Sequence, residues 1–242
     1  MLAAMVVTLP KPGKDPVSPK NFRPISLLNV DLKIYAKLIA NRLENIIPSL
    51  ISPDQSGFTK GRQASDATRR MINIIHHVET CGTPSLLLSL DAEKAFDRVH
   101  WGYVSAVLTK FGLVGGIHDA IMAMYSNPSA RVFSADALST PFQITNGTRQ
   151  GCPLSPLIFN LVMEPLAESI RSNKNISGIR IAEVDHKVSL FADDVILMIT
   201  DPDRSLPEIQ RTLAWFSEVS FYKANEAKSY MLNLGLAEAI KN

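Results

Sequence analysis

The hydrophobic pattern of the chain alternates between short continuous apolar runs and longer segments in which apolar residues recur every third or fourth position. Continuous runs rich in strand formers lie at residues 6–8, 85–90 and 189–199. Runs of this kind predict strands, and the two later runs predict buried ones. The run at 189–199 is interrupted by Asp193 and Asp194, which predict the tight turn of a hairpin.

The segments with helical spacing predict helices that end near glycine or proline. The first covers residues 29–47 and is ended by Pro48 and Pro53. A hairpin is predicted with arms at 130–133 and 140–144. Further helices are predicted at 65–78, 99–111, 117–125, 155–170 and 207–219.

Asp193 and Asp194 are the first candidates for chemistry. Neighbouring side chains of an extended strand point to opposite faces, so only a turn brings both carboxylates to one place. Two like charges held together and half buried are costly unless a cation neutralises them. Carboxylate oxygens suit a hard divalent ion such as Mg²⁺. An ordinary surface turn, in which Asp is common, is the alternative.

Asp91 directly follows the predicted strand at 85–90. A carboxylate at the end of a central strand, just before the chain turns to helix, is well placed to bind a metal ion. If this strand lies beside the hairpin, Asp91 meets Asp193 and Asp194. The metal-site hypothesis therefore depends on a strand pairing that the pattern leaves open.

Two basic loops are candidates for binding phosphates. The first carries Lys11, Lys14 and Lys20 and is followed by Arg23. Spaced cations of this kind can clamp a triphosphate, and Arg offers a planar bidentate fork. The second, a glycine-punctuated loop at 55–62, indicates either a contact with a nucleic-acid backbone or a solvated turn.

A third loop, at 146–156, leads into a helix whose N-cap is predicted to be Ser155. It places Arg149 and Gln150 near the start of that helix. Gly151 lacks a Cβ and lets a flat base or sugar approach the main chain closely. The loop is therefore a candidate nucleotide contact.

Composition narrows the class of protein. The chain has 242 residues, 46% of them hydrophobic, enough for one large core or two lobes that share a cleft. Residues 1–70 hold 11 Lys and Arg against 5 Asp and Glu, whereas the remainder hold 14 against 18. A basic N-terminal segment followed by an acidic remainder is typical of a protein that binds phosphates with one part and metal ions with the other.

The cysteine content and the hydropathy of the chain indicate the cellular compartment of the protein. The two cysteines, Cys81 and Cys152, form no Cys-x-x-Cys pair, so neither a disulfide scaffold nor a zinc module is indicated. They favour a reducing intracellular compartment, the nucleus or the cytoplasm. We find no signal peptide and no apolar run long enough to span a membrane.

Five motifs resemble the reverse transcriptase domain of non-LTR retrotransposons of the long interspersed element type. Each motif alone is weakly specific, but all five occur in the family's order and the resemblance covers nearly the whole chain. The motifs are NFRPIS at 21–26, LDAEKAFD at 90–97, RQGCPLSP at 149–156, FADD at 191–194 and YKANEAKS at 222–229.

The resemblance implies an α+β fold, that of a right-hand polymerase with fingers over residues 1–85 and a palm over 86–242. The palm would contain an antiparallel sheet with packed helices. A thumb, an upstream endonuclease and a downstream Cys/His-rich segment, which the family usually carries, are not found in the sequence. The implied activity is RNA-directed DNA synthesis. The alternatives are a truncated, catalytically silent remnant with weak nucleic-acid binding, and another polymerase of the same palm design.

The resemblance also assigns roles to residues. Asp91, Asp193 and Asp194 match the catalytic carboxylates that bind metal, and the main-chain carbonyl of Ala92 would add a ligand. Two Mg²⁺ ions are implied, with Mn²⁺ as a substitute. Lys228 matches a lysine proposed to protonate the leaving pyrophosphate.

Further matching positions imply contacts with the substrates, which are an RNA template, a DNA primer and deoxynucleoside triphosphates. Lys11 and Arg23 match positions that hold the triphosphate. Gln150 and Gly151 match positions against the nucleotide and template, and Arg149 lies beside them in the motif. No oligomeric state is implied.

Phe96 is a candidate for sugar selection. It lies five residues after Asp91, where the family has an aromatic residue beside the sugar of the incoming nucleotide. A bulky ring there would collide with a 2′-hydroxyl. Ala192 supports the same preference for DNA synthesis, because RNA-templated RNA polymerases typically have Gly before the aspartate pair. Packing of Phe96 in the core is the alternative.

Overall fold

The computed structural model describes residues 2–15, 17–134 and 137–235, without the side chain of Lys20. Both helices and strands are present along these residues, so the predicted α+β class is confirmed. The helices are α1 (Val30–Leu43), α2 (Ile47–Leu50), α3 (Ala64–Cys81), α4 (Ala95–Arg98), α5 (Trp101–Lys110), α6 (Gly116–Ala123), α7 (Ser155–Ser172) and α8 (Pro202–Ser220). The strands are β1 (Ala3–Pro10), β2 (Phe22–Leu28), β3 (Ser85–Leu90), β4 (Ser129–Ser134), β5 (Ala137–Leu138), β6 (Phe142–Gln143), β7 (Ile179–Ile181), β8 (Val184–His186), β9 (Val188–Phe191), β10 (Asp194–Ile199) and β11 (Tyr230–Leu234).

The chain divides into two compact units, of which the first comprises Met1–Ile46 and Phe96–Phe159. Its sheet has the strand order β2-β1-β4-β5, and β6 also pairs with β4. Strand β1 lies antiparallel to β2 and parallel to β4. Helices α1 and α6 are linked by the Tyr35 hydroxyl, which donates to the carbonyl of Ala120 at 3.1 Å.

The second unit comprises Ile47–Ala95 and Asn160–Asn242. Its main sheet has the order β11-β3-β10-β9, and every pair in it is antiparallel. The antiparallel sheet that the resemblance implied is therefore present. Strands β7 and β8 form a separate two-stranded sheet.

The core of the second unit lies on both faces of its central strands. On β10, Leu197 and Met198 are fully buried although they point to opposite faces. Ile74 and Val78 of α3 pack in one cluster with Met198. Burial on both faces explains why β10 is a continuous apolar run rather than an alternating one.

Two of the predicted helix boundaries differ from the structure by four or five residues. The helix predicted over 29–47 ends at Leu43, and a separate short helix, α2, follows and includes Pro48. Proline is tolerated in the first turn of a helix, so Pro48 lies near a helix start rather than ending one. The last long helix begins at Pro202, not at Pro207, because the side chain of Asp201 caps it by accepting from the N–H of Arg204.

Candidate active site

The hairpin of β9 and β10 carries two of the predicted carboxylates at its tip. Asp194 pairs with Phe191, so the two-residue loop consists of Ala192 and Asp193, and Asp194 is the first residue of β10. The predicted turn was therefore displaced by one residue. We name residues 191–194 the aspartate turn. Ala192 has a φ of 56°, in the left-handed region that favours glycine.

Asp91 lies beside this turn because of strand register. Leu90, the last residue of β3, pairs with Val195 of β10. In an antiparallel pair the next residues along, Asp91 and Asp194, then lie opposite each other. The pKa of Asp194 is raised by burial and, to a lesser extent, by the negative charges of Asp193 and Asp91. The structure therefore brings the three aspartates into one electrostatic neighbourhood.

The carboxylates do not close into a formed metal cage. Within residues 2–15, 17–134 and 137–235, no group of three His, Cys, Asp or Glu side chains has the geometry to hold a metal ion. The donor set is nevertheless the one that hard divalent ions prefer, since it consists of carboxylate oxygens. Burial raises the pKa of Asp194, and the negative charges of Asp193 and Asp91 add to this effect, as expected where no cation neutralises them.

Asp91 is held by the segment that contains the last motif. Its Oδ2 accepts from Nδ2 of Asn225 at 3.2 Å and lies 3.6 Å from Nζ of Lys228. Its carbonyl accepts from the N–H of Asn225 at 2.7 Å. Ala92 forms an isolated antiparallel bridge with Ala224. The predicted proton donor, Lys228, is thus an ion-pair partner of Asp91 here.

Two residues of this neighbourhood were not predicted. Asn225 lies within the last motif, three residues before Lys228, and its polar side chain was the only signal. Tyr222 is 4% exposed, and its hydroxyl has no hydrogen-bond partner among the described residues. The pKa of Tyr222 is raised by burial and by the charges of Asp193, Asp91 and Asp194. A buried phenol beside the aspartates is therefore kept neutral.

The first unit contains the predicted nucleotide contacts on neighbouring segments. Arg23 is exposed on β2 and pairs with Leu9 of β1. Lys11 follows β1 directly, and its N–H donates to the carbonyl of Asn21 at 2.8 Å. The side chain of Lys20 lies outside the described residues. Lys11 and Arg23 therefore flank the same strand connection.

The glycine loop of the third motif packs on the strand that carries Arg23. The N–H of Ser26 donates to the carbonyl of Gln150 at 3.0 Å. Gly151 has a φ of 102°, and a Cβ there would lie 2.8 Å from the carbonyl oxygen of Ser26. Gly151 is thus required by the close approach of two main-chain segments, whatever contact it makes with a nucleotide.

Arg149 and Phe96 differ in how accessible their side chains are to a substrate. The Arg149 guanidinium is buried and donates to the carbonyl of Met124 at 3.3 Å, and burial lowers the pKa of Arg149. Burial argues for a packing role, and a substrate contact by Arg149 stays a prediction. Phe96 is half buried and stacks on Phe159, with ring centroids 4.3 Å apart. One face of its ring is thus supported by another ring.

The basic loop at 55–62 is partly buried rather than a solvated turn, and Arg62 braces it from within. Its guanidinium donates to the main-chain carbonyls of Ser52, Gln55, Pro48 and Ile51. The sequence pattern did not reveal this, because an arginine that braces a loop and one that contacts a phosphate look alike in a sequence.

Residues 9–236 match the family model described as reverse transcriptase (RNA-dependent DNA polymerase). The chain belongs to this family, because the match covers nearly all of it. Within the described residues, no helix is both long and apolar enough to cross a membrane.

Curated relatives indicate which kind of reverse transcriptase the chain resembles. It is 37% identical over 200 residues to the transposon TX1 uncharacterized 149 kDa protein of Xenopus laevis, covering 82% of this chain and 15% of that protein. It is 29% identical over 239 residues to the retrovirus-related Pol polyprotein from type-1 retrotransposable element R2 of Popillia japonica, covering 98% and 33% respectively. The chain thus spans a third or less of the length of these relatives. The predicted non-LTR retrotransposon family is confirmed.

Solved structures support the fold. Telomerase of Candida tropicalis, in complex with the TWJ fragment of telomeric RNA, matches with a TM-score of 0.69 at 12% identity, covering 98% of this chain and 41% of that one. Apo telomerase of the same organism, truncated from the C-terminal domain, gives 0.68 at 11% identity, covering 98% and 51%. The predicted polymerase fold is confirmed at the level of fold alone.

Replacing Asp194 by Asn is expected to raise the melting temperature of the metal-free protein at pH 7.5 by about 1 °C, a small gain because Asp194 is exposed and solvent screens its charge. The folded-state pKa of Asp194 lies above its unfolded value, so ionisation destabilises the fold at neutral pH and ceases to do so as the pH falls. The gain should therefore shrink towards pH 4. Differential scanning fluorimetry across this range measures it.

Asp203→Asn is the matched control, because Asp203 is an exposed carboxylate in the first turn of α8. A negative charge is favourable at that position, so no gain is expected there. An Asp194→Asn variant that melts at or below the wild-type temperature at pH 7.5 would contradict the destabilising effect of ionised Asp194.

Proposed function

We propose that this chain catalyses RNA-directed DNA synthesis, the template-directed transfer of deoxynucleotides to a primer 3′-hydroxyl. The observation that carries the proposal is the pairing of Leu90 with Val195, a register that continues to Asp91 and Asp194, with Asp193 in the adjoining loop. Membership of the reverse transcriptase family supports it. The fingers over 1–85 and the palm over 86–242 are part of the same proposal.

Reverse transcriptases generally use divalent metal ions, and the residues present fit such ions. The carboxylates of Asp91, Asp193 and Asp194, with the main-chain carbonyl of Ala92, would hold two Mg²⁺ ions, or Mn²⁺ in their place. Bound there, divalent ions would lower the pKa of the primer 3′-hydroxyl and offset charge on the phosphates. Besides burial, the charges of Asp193 and Asp91 raise the pKa of Asp194, and bound cations would neutralise these charges.

The chain's own side chains would orient the triphosphate and handle a proton. Lys11 and Arg23 would hold the phosphates, and Arg23 can donate two parallel hydrogen bonds. Gln150 and Gly151 would lie against the base pair being formed. Lys228, which lies 3.6 Å from Asp91, would release that carboxylate and give its Nζ proton to the leaving pyrophosphate.

Asp193→Asn should reduce the extension of oligo(dT) on poly(rA) with dTTP and Mg²⁺ by roughly 10²–10³-fold, the loss that is typical when one group that stabilises developing charge is removed. Affinity for the primer–template should change by less than about 3-fold, because backbone binding depends on cationic residues elsewhere. Steady-state extension and fluorescence anisotropy measure the two quantities.

Asp203→Asn serves again as the control and should extend like the wild type. Wild-type-like extension by Asp193→Asn would refute the metal assignment. A wild-type chain that binds the primer–template but extends it with neither Mg²⁺ nor Mn²⁺ would refute the catalytic proposal and identify a silent remnant.

Phe96→Val should admit ribonucleotides. The smaller side chain no longer collides with a 2′-hydroxyl, so the ratio of kcat/KM for dTTP to that for UTP should fall by about 10-fold or more. Phe133→Val, at a partly exposed position of β4, is the control. Sugar selectivity that is unchanged in Phe96→Val would show that the ring only packs against Phe159.

A further inference from the structure

Gln55 is a buried polar side chain that contacts the aspartate turn and has no role in the chemistry described above. It is 1% exposed. Its Oε1 accepts from the N–H of Ala192 at 3.1 Å, and its Nε2 donates to the carbonyl of Ala192 at 3.4 Å. One carboxamide thus bonds the peptide groups on both sides of Ala192. The second of these groups is the one that leads into Asp193.

The aspartate turn needs such external support. Ala192 has a φ of 56°, a conformation that side chains other than glycine's adopt at a cost. Ala192 is only 5% exposed, so its polar groups have little access to water and need partners within the protein.

Gln55 is itself held by the chain around it, which we name the support loop (residues 54–59). Its Oε1 also accepts from the N–H of Gly57 at 2.9 Å. The N–H of Ser56 donates to the carbonyl of Leu190, and the N–H of Leu190 donates to the carbonyl of Asp54, both at 2.9 Å. The support loop thereby pairs with the outer edge of β9 in parallel orientation.

Gly57 lets the support loop lie directly on the turn. A Cβ at this position would be 2.4 Å from the main-chain nitrogen of Ala192, so any side chain would displace one segment from the other. The carbonyl of Gly57 accepts from Nδ2 of Asn160 at 2.7 Å and from the hydroxyl of Thr59 at 3.1 Å. Asn160 is fully buried on α7 and anchors the loop to that helix.

We propose that Gln55 is a positioning residue for the aspartate turn. By fixing both peptide groups of Ala192, it determines where Asp193 and Asp194 present their carboxylates to divalent ions. The consequence for catalysis rests on the proposed function, whereas the effects on the turn and on metal binding do not require it.

Gln55→Met keeps the size of the side chain and removes its three hydrogen bonds, two to Ala192 and one to Gly57. Hydrogen–deuterium exchange should become at least about 10-fold faster in peptides covering residues 188–195 and stay unchanged in those covering α8, because the lost hydrogen bonds are confined to the aspartate turn and the support loop. The control is Ile74→Ala, which empties part of the buried cluster around Met198 without touching the support loop. It should not accelerate exchange of the turn selectively.

Metal binding gives a readout that does not depend on catalysis. Mn²⁺ titration followed by electron paramagnetic resonance should give a dissociation constant for Gln55→Met about 3–30-fold above that of the wild type, because misplaced ligands bind a metal less tightly. Ile74→Ala should bind Mn²⁺ as the wild type does. Equal Mn²⁺ affinity in Gln55→Met and the wild type would overturn the proposal.

Extension kinetics test the catalytic consequence. In Gln55→Met, kcat should fall by about 10–100-fold while KM for dTTP changes by less than about 3-fold, because misplaced ligands affect the chemical step more than nucleotide binding. If kcat falls no further in Gln55→Met than in Ile74→Ala, a positioning role for Gln55 is overturned. If the wild type proves inactive, the proposed function fails, while exchange and Mn²⁺ binding still decide the role of Gln55.

Two further measurements test the role of Gln55 even if Gln55→Met does not fold. Gly57→Ala disturbs the turn from the same loop and should also accelerate its exchange and weaken Mn²⁺ binding. In the wild type, the Ala192 amide should exchange at least about 100-fold more slowly than an unprotected amide, as its bond to Gln55 requires. An Ala192 amide that exchanges at the unprotected rate would overturn the proposal without any variant.

Discussion

The pairing of Leu90 with Val195 is the constraint on which the candidate site depends. Because side chains alternate along a strand, a slip of one residue between β3 and β10 would turn Asp91 away from Asp194. The buried residues of β10 prevent such a slip, since it would carry Leu197 and Met198 to the wrong faces. The hydrophobic core of the second unit therefore sets the position of the carboxylates.

Bringing three carboxylates together has an energetic cost, and nearby residues offset part of it. Lys228 and Asn225 contact Asp91, while Gln55 holds the main chain of Ala192. These contacts act on different parts of the cluster. Lys228 and Asn225 neutralise and orient the carboxylate of Asp91, whereas Gln55 fixes the aspartate turn. A site that is repulsive without cations is suited to binding them.

Much of this arrangement could be predicted from the sequence. Strand β3 was predicted with the bounds it has, because a continuous apolar run ended by Asp91 is a strong local signal. The aspartate turn was predicted one residue too late, since Ala192 carries no turn signal and adopts a left-handed conformation only with outside support. Residues supplied from far along the chain were not identified: Gln55 lies 137 positions from Ala192, and nothing in a loop that appears basic and solvated indicated its burial.

The central claim is that Asp91, Asp193 and Asp194 together hold divalent ions at the tip of the hairpin. It is tested most directly by anomalous diffraction from crystals of this chain grown with Mn²⁺, an RNA–DNA primer–template and a non-hydrolysable deoxynucleotide. The account predicts anomalous peaks in contact with the carboxylates of Asp91 and Asp193, and their loss in crystals of Asp91→Asn. Manganese bound elsewhere, with none between β3 and the aspartate turn, would contradict it.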